Sequence, residues 1–193
     1  SEEFHYEGGI KEFIEYLNSN KSSVYDKVIY CEGIKERVQV EVAMQHNDGY
    51  SDSIYTFVNN INTPEGGTHL TGFKNAVTKT FNDYARKNKF LKDSEENLSG
   101  EDIREGLTAI VSVKVENPQF EGQTKQKLGN SEAQLAVNSI VSEQMTYFLE
   151  QNPSIAKVIC DKALMAQRAR AAARKARDLT RRKSALDSIS LPG

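Results

Sequence analysis

The chain has 193 residues, of which 38% are hydrophobic and 27% are charged, so it is long enough to bury a core and is not mainly disordered. Its formal net charge of −2 is uneven: residues 165–183 carry eight Lys or Arg against one acid, Asp178, which makes this segment +7 and leaves −9 for the remainder. No apolar run is long enough to span a bilayer and none resembles a signal peptide, while the basic segment favours a polyanion or an acidic surface as its partner.

The first 87 residues predict two helices separated by three strands. Apolar residues recur at helical spacing from Ile10 to Leu17, and again in a helix predicted from Thr68, as its cap, to about Lys87. Strands are predicted where β-branched and aromatic residues concentrate. Those segments are residues 26–33, 37–46 and 53–61. The middle segment alternates apolar and polar residues, which is typical of a half-buried antiparallel strand, and the third is read in the same way.

The second half begins with a predicted polar loop at residues 93–102 and a predicted buried strand at residues 107–115. The sequence FEGQTKQKLGN then occupies residues 120–130 and places an amide, a hydroxyl and an ammonium group side by side. Such donors suit an anion, and loops between elements often carry function. A solvated connector is the other interpretation of the same residues.

Two helices are predicted at the C-terminal end. Ser131 and Gln134 form a candidate capping box for the first, and Pro153 suits the first turn of the second, which is predicted to run to about Leu186. The last helix loses its large apolar residues after Met165 and becomes rich in Ala and Arg, so it is expected to project from the body. On charge alone it is either a solvated lever or a DNA-binding element.

No catalytic motif is present in the sequence. The metalloprotease, phosphate-binding P-loop, nucleophile-elbow and dinucleotide patterns are all missing. His5, His46 and His69 are scattered singly and are interpreted as surface or core residues. Cys31 and Cys160 lie far apart in the sequence and are predicted to be buried, reduced thiols.

Four segments occur together in the order NNINTPEGGTHLTGF, REGLTAIVSVK, FEGQTKQKLGNSEA and RARAAARKARDLTRRKSAL. Together they resemble the transducer domain of type IIA DNA topoisomerases, in the version found in the DNA gyrase B family, where it lies between an ATPase domain and a Toprim domain. The resemblance extends from FHYEGGI to SLPG, so we expect the chain to be a piece of a longer protein. The transducer of the corresponding topoisomerase IV protein is the close alternative.

The resemblance implies an α+β fold like the second domain of a small-subunit ribosomal protein. Such a domain has a four-stranded sheet covered by helices and, here, a long projecting C-terminal helix. It further implies a transducer body over residues 1–152 and a long basic helix over residues 153–193 that leads toward the Toprim domain.

The resemblance also assigns candidate sites. The residues implied to reach the γ-phosphate of ATP are those of the Q-T-K triplet: Gln123, Thr124 and Lys125. ATP and Mg²⁺ are implied to be held mainly by the neighbouring ATPase domain, so no catalytic residue and no metal ligand is expected in this chain. Lys74 stands where relatives commonly have an arginine facing the DNA cavity. The DNA-facing candidates are Lys74, Arg168, Arg170, Arg174 and Arg177.

The implied function is to couple ATP binding and hydrolysis to DNA strand passage and negative supercoiling. The implied partners are the DNA gyrase A protein, a second copy of gyrase B and double-stranded DNA, in the cytoplasm and without a membrane. The chain alone is expected to be inactive. A stand-alone DNA-binding module and a purely structural dimerisation module are the alternatives, and Lys125 distinguishes them because only coupling requires it for ATP hydrolysis.

Overall fold

The structure, a computed structural model, describes the backbone of residues 9–190 and the side chains of residues 9–187. Over this range the chain forms one sheet of five strands and five helices. In chain order the elements are α1 (Gly9–Leu17), β1 (Ile29–Lys35), β2 (Val38–His46), β3 (Ser53–Val58), β4 (Ile61–Asn62), α2 (Thr68–Lys87), α3 (Gly100–Arg104), β5 (Leu107–Lys114), α4 (Ser131–Gln151) and α5 (Pro153–Ser190). The expected α+β class is confirmed.

The sheet has the strand order β1-β2-β5-β3-β4. β2 pairs antiparallel with β1 and with β5, whereas β3 pairs parallel with β5, not antiparallel as the sequence pattern suggested. A parallel pair needs a long crossover connection, and the segment that contains β4, α2 and α3 supplies it between β3 and β5. The expected count of four strands is wrong by one. Asn59 and Asn60, both at positive φ, turn the chain back so that Ile61 pairs with Val58.

The two faces of the sheet are covered differently. Alternate residues of β2, such as Val40 and Val42, belong to the main core under α2 and α4, while Ala43 faces the other way with Ile10 and Ile14 of α1. This alternation is the strand period predicted from the sequence. The helices α2 and α4 therefore share one layer, and α1 covers part of the opposite face.

The helix boundaries agree with the sequence for α2, for the end of α1 at Leu17 and for the start of α5 at Pro153. α2 spans Thr68–Lys87 as predicted, but its N-cap is Gly67, and the buried Thr68 hydroxyl has no hydrogen-bond partner in the described part of the chain. The predicted polar loop contains α3, which begins after a capping box between Ser99 and Asp102. β1 continues past Gly33 to Lys35 because its pairing with β2 extends that far.

α5 is a helix of 38 residues and is therefore about 57 Å long. Its first part is buried against the body from Ala156 to Leu164, and every side chain from residue 171 to residue 187 is exposed. The expected long C-terminal helix is thus confirmed. Between residues 9 and 190 no helix combines the length and the apolarity needed to cross a bilayer.

Candidate functional site

The loop between β5 and α4 is a closed turn. Phe120 and Leu128 form an antiparallel bridge at its base, and the amide of Glu121 donates to the carbonyl of Lys127 at 2.8 Å. We call these paired residues the stem and residues 122–126 the tip. All five residues of the tip are exposed, and the carbonyl of Gln126 accepts from the amide of Glu65 at 2.9 Å.

The stem is bonded to the start of α2. The amide of Leu128 donates to the carbonyl of Gly66 at 3.0 Å, and the amide of Thr68 donates to the carbonyl of Leu128 at 3.0 Å. Gly67 and Leu128 thereby form a parallel bridge. One of the four unsatisfied amides at the N-terminus of α2 is thus bonded to the stem, which joins the loop and α2 into one hydrogen-bonded unit.

Asn130 closes the loop from the other side. Its side-chain oxygen accepts from the amide of Gln119 at 2.6 Å, and its side-chain nitrogen donates to the carbonyl of Asn117 at 3.1 Å and to Glu132 at 2.6 Å. The last bond lowers the pKa of Glu132. The predicted capping box at Ser131 is wrong, because Asn130 is the N-cap residue and its side chain bonds to the loop instead of to the helix amides.

The tip presents the three side chains that the sequence singled out. Gln123, Thr124 and Lys125 are exposed, and none of them forms a hydrogen bond or an ion pair with any residue from 9 to 187. The other lysine of the loop, Lys127, is paired with Glu121 at 3.2 Å. The tip contains no acidic residue, so it offers an ammonium, an amide and a hydroxyl donor to an anion.

The arginines of α5 fall into two groups. Arg170 donates to the carboxylate of Asp102 at 2.7 Å, and Arg168 lies 3.9 Å from the carboxylate of Glu95. The remaining candidates are exposed and have no hydrogen bond or ion pair within the described side chains: Arg174 and Arg177. Of these four arginines, only Arg174 and Arg177 therefore make no hydrogen bond or ion pair with the described side chains of the body.

Lys74 lies in the second turn of α2 and is half-buried, with no side-chain hydrogen bond to residues 9–187. A polar cleft of about 440 Å³ begins at the next residue of α2, Asn75, and Lys74 does not line it. The cleft is lined by side chains of α2, α4 and the chain before α3: Asn75, Thr78, Lys79, Asn82, Asp83, Asn97 and Asn138. Among the described residues no hydrogen bond or ion pair links the loop tip, Lys74 and the arginines, so they are three separate features.

The histidines and cysteines that the structure describes are core residues. His46 lies between the hydroxyl of Tyr25 at 2.8 Å and the carbonyl of Ile103 at 2.9 Å, and burial lowers its pKa to about 4. Burial likewise lowers the pKa of His69 to about 4.

Both cysteines are buried and unpaired, as predicted, and burial raises the pKa of each thiol to about 12. His5 lies outside the described residues, within which no cluster of three metal-ligating side chains occurs.

Two residues that organise these features were missed from the sequence. Asp102 accepts a hydrogen bond from Arg170 and forms the capping box of α3 with Ser99. The pattern Ser99-x-x-Asp102 is a capping signal that could have revealed both the helix and the buried carboxylate. Asn130 gave no such signal, because its partners are backbone groups of the preceding loop.

The fold is shared with solved structures of bacterial DNA topoisomerases. The crystal structure of the 43K ATPase domain of Thermus thermophilus gyrase B in complex with an aminocoumarin is 45% identical, with a TM-score of 0.83, over 89% of this chain and 46% of that one. The topoisomerase IV ATP binding domain of Francisella tularensis in complex with a small molecule inhibitor is 28% identical, with a TM-score of 0.74, over 86% and 44%.

The family is shown by sequence as well. The family model described as DNA gyrase B matches residues 9–179, so the chain belongs to the DNA gyrase B family. The DNA gyrase B protein of Clostridium acetobutylicum is 60% identical across 100% of this chain and 30% of that protein, and that of Bacillus mycoides is 60% identical across 99% and 47%. The chain therefore spans less than half the length of these relatives. The resemblance found in the sequence is confirmed.

Proposed function

We propose that the chain is the transducer domain of a DNA gyrase B protein, which couples ATP binding and hydrolysis in an adjoining domain to DNA strand passage and negative supercoiling. The observation that carries this proposal is the loop tip. Its three donor side chains have no partner among residues 9–187, and its stem is hydrogen-bonded to the first turn of α2. Donor groups that have no partner, on a loop whose stem is fixed by hydrogen bonds, are suited to bind an anion that another domain carries.

The chemistry of Lys125 suits a sensor of the terminal phosphate. An ammonium group forms charge-assisted hydrogen bonds with phosphate oxygens, and these are roughly twice as strong as neutral ones. ATP offers a γ-phosphate that ADP lacks. Lys125, together with Gln123 and Thr124, would therefore gain these bonds only before the phosphate is lost, and order in the tip would differ between the two states.

The remaining parts of the nucleotide site belong to the adjoining domain. Within residues 9–187 no group of three or more His, Cys, Asp or Glu side chains is placed to hold a metal ion, and the loop tip carries no carboxylate. We infer that ATP and Mg²⁺ are bound mainly outside this chain. The isolated chain should therefore hydrolyse no ATP and cleave no DNA.

The basic helix supplies the second half of the coupling. We infer that residues 1–152 form the transducer body and that residues 153–193 lead toward a Toprim domain, with the gyrase A protein, a second copy of gyrase B and double-stranded DNA as partners in the cytoplasm. Lys74, Arg168, Arg174 and Arg177 are the residues proposed to face DNA, whereas the fifth candidate, Arg170, is paired with Asp102. Counterion release would make these contacts sensitive to salt.

The test is Lys125→Ala in the full-length gyrase B protein reconstituted with gyrase A. We expect ATP hydrolysis and supercoiling to fall together by about 10- to 100-fold, because a hydrogen bond to a charged group contributes about 1.5–3 kcal/mol. Lys127→Ala is the matched control. It lies in the same loop but is already paired with Glu121, so its loss should change both rates by less than about twofold.

Other outcomes favour the alternatives. If Lys125→Ala leaves ATP hydrolysis intact and weakens DNA affinity, the chain is a nucleic-acid-binding module and the coupling proposal fails. If changes at Lys74 and at Lys125 both leave activity unchanged while subunit association falls, the chain is a dimerisation module.

A further inference from the structure

The last helix leaves the body at Arg170. Apolar residues of α5 are buried up to Leu164, Arg170 is still partly covered, and each side chain in the range 171–187 is exposed. We call residues 171–187 the basic arm. The contacts made just before the basic arm are the last that the body makes with α5 among the described residues.

Those contacts come from the chain between α2 and β5. We call residues 92–102 the clasp; they include the beginning of α3. Residues 93–102 of the clasp were predicted as a plain polar loop, yet the clasp is bonded on one side to α2 and on the other to α5.

On the α2 side, one arginine holds the clasp through three bonds. Arg86, in the last turn of α2, donates from Nε to the Asn97 side chain at 2.7 Å and from Nη2 to the Glu95 carbonyl at 2.8 Å. Its Nη1 donates to the Lys92 carbonyl at 3.2 Å. A guanidinium has a fixed, planar set of donors, so these bonds fix the clasp relative to the end of α2.

A buried amide adds to this attachment. Asn82, one turn earlier on α2, donates to the carbonyl of Leu98 at 2.9 Å and accepts from its amide at 2.7 Å. Asn82 is 7% exposed and Leu98 is 2% exposed, so water does not compete for these bonds. The clasp is thus attached to α2 by two buried hydrogen bonds between Asn82 and Leu98 as well as by Arg86.

On the α5 side, two residues donate hydrogen bonds to the clasp, and Arg168 lies 3.9 Å from the carboxylate of Glu95. Gln167 donates to the carbonyls of Glu96 and Asn97, each at 3.2 Å. Arg170 donates to the carboxylate of Asp102 at 2.7 Å. Gln167 and Arg170 are one turn apart and lie at the end of the covered part of α5.

The contact between Asp102 and Arg170 is the shortest of the bonds between the clasp and α5, and it leaves one donor unsatisfied. Asp102 is 4% exposed; its carboxylate also accepts from the amide of Ser99, and its own amide donates to the Ser99 hydroxyl, so its position is fixed by the capping box of α3. Arg170 uses Nη2 alone, and its Nε is buried without a partner among the described residues.

We propose that the clasp is the mechanical link between α2 and the basic arm, with Arg86 and Asn82 as its attachment to α2 and the Asp102–Arg170 ion pair as its attachment to α5. This inference rests on the proposed coupling function and identifies the route through which it acts. The loop stem is bonded to the first turn of α2, and the clasp is bonded to its last turns, so a rigid helix of 20 residues joins the two. Arg170 is then a positioning residue and not a contact for DNA.

The first test measures coupling in the full-length gyrase B protein reconstituted with gyrase A. Asp102→Asn and Arg170→Gln should each retain ATP hydrolysis, because the loop is intact, while the supercoils introduced per ATP fall at least about fivefold, the lower end of a typical coupling. The double variant should be no worse than either single variant, since both remove one contact. Asp52→Asn is the matched control: it removes an ion pair with Arg104 of α3 that does not touch α5.

The second test measures the direction of α5 in the 193-residue chain itself. Spin labels at Asn75→Cys on α2 and Ser184→Cys on α5 occupy exposed positions, and the native cysteines are buried. We expect one narrow distance distribution that broadens in Asp102→Asn and in Arg170→Gln. It should stay narrow in Asp52→Asn.

Three results would overturn the clasp. The first is an unchanged distance distribution in Arg170→Gln. The second is a double variant in which the defects of the two single variants multiply. The third is a loss of DNA affinity in Arg170→Gln that Asp102→Asn does not share. Lys125→Ala in the same assays separates this inference from the proposed function. If Lys125→Ala is silent, the coupling role fails, and the distance measurement still decides whether the clasp sets the direction of the basic arm.

Discussion

Gly67 lies directly against the backbone of Leu128. A Cβ on residue 67 would stand 2.3 Å from the carbonyl oxygen of Leu128 and 2.4 Å from its amide nitrogen, and the φ of Gly67 is +130°. Both the contact and the dihedral exclude a side chain. The attachment of the loop to α2 therefore depends on glycine at this position.

Gly67→Ala should break this attachment. We expect the free energy of unfolding to fall by about 2–4 kcal/mol, because strained backbone and a clash with a backbone atom are combined. Urea denaturation of the chain measures the loss. Gly122→Ala is the control, since Gly122 also has a positive φ, +82°, but has open space around it and should cost about 1–2 kcal/mol at most. Equal losses at the two positions would show that the contact with Leu128 contributes nothing.

Asn130 and Ser131 provide a test of where α4 is capped. Asn130→Ala removes the acceptor of the Gln119 amide and the donor to Asn117, and should destabilise the chain by about 1–3 kcal/mol. It should also speed hydrogen exchange in the loop. Ser131→Ala should cost less than about 0.5 kcal/mol, because Ser131 is the first helical residue and not the cap. A larger loss from Ser131→Ala than from Asn130→Ala would restore the capping box that the sequence suggested.

Much of the fold could be predicted because its signals are local. The alternation of β2, the apolar run of β5 and the periodicity of α2 appear within single segments, and these elements lie where the sequence placed them. The parallel pairing of β3 with β5 could not be predicted, because it joins segments about 50 residues apart and leaves no pattern in either. β4 was absorbed into the predicted third strand because Asn59 and Asn60 were not recognised as a turn.

The local part of the candidate site could be predicted from the sequence, and its long-range contacts could not. The Q-T-K triplet and its exposure follow from the sequence, whereas the attachment of the stem to Gly66 and Thr68 is a contact across about 60 residues. The role of Arg170 was not predictable from charge, because a solvated arginine and one bonded to a buried carboxylate have the same sequence signature.

Gln144 protects the edge of the sheet. From α4, its side chain accepts from the amide of Glu32 at 2.9 Å and donates to the carbonyl of the same residue, which lies on the edge strand β1. Gln144→Ala would leave both backbone groups open, and exposed strand edges favour pairing with another chain. We expect a loss of about 1 kcal/mol in the free energy of unfolding and more self-association in sedimentation velocity. Glu143→Ala, an exposed neighbour on α4, is the control and should change neither. A monomer of unchanged stability in Gln144→Ala would contradict the protective role.

The two buried histidines predict a loss of stability in mild acid. Burial holds the pKa of His46 and of His69 at about 4, below the value of about 6.5 in an unfolded chain. Below about pH 6.5 the unfolded chain therefore binds more protons than the native chain, and the free energy of unfolding falls as the pH falls toward 4. Each histidine can contribute up to about 1.4 kcal/mol per pH unit in this window.

His46→Gln isolates one of these contributions. The variant lowers stability at every pH because the bonds to Tyr25 and Ile103 change, but the informative quantity is the slope of stability against pH. Between about pH 6.5 and 5, above the range of most carboxylates, the slope should be smaller in His46→Gln than in the parent chain by up to one proton. The control Glu143→Gln, at an exposed position, should keep the parent slope. Urea denaturation at several pH values measures all three chains. A slope in His46→Gln equal to that of the parent would mean that His46 takes up its proton without unfolding, so that its burial does not govern the acid sensitivity of the domain.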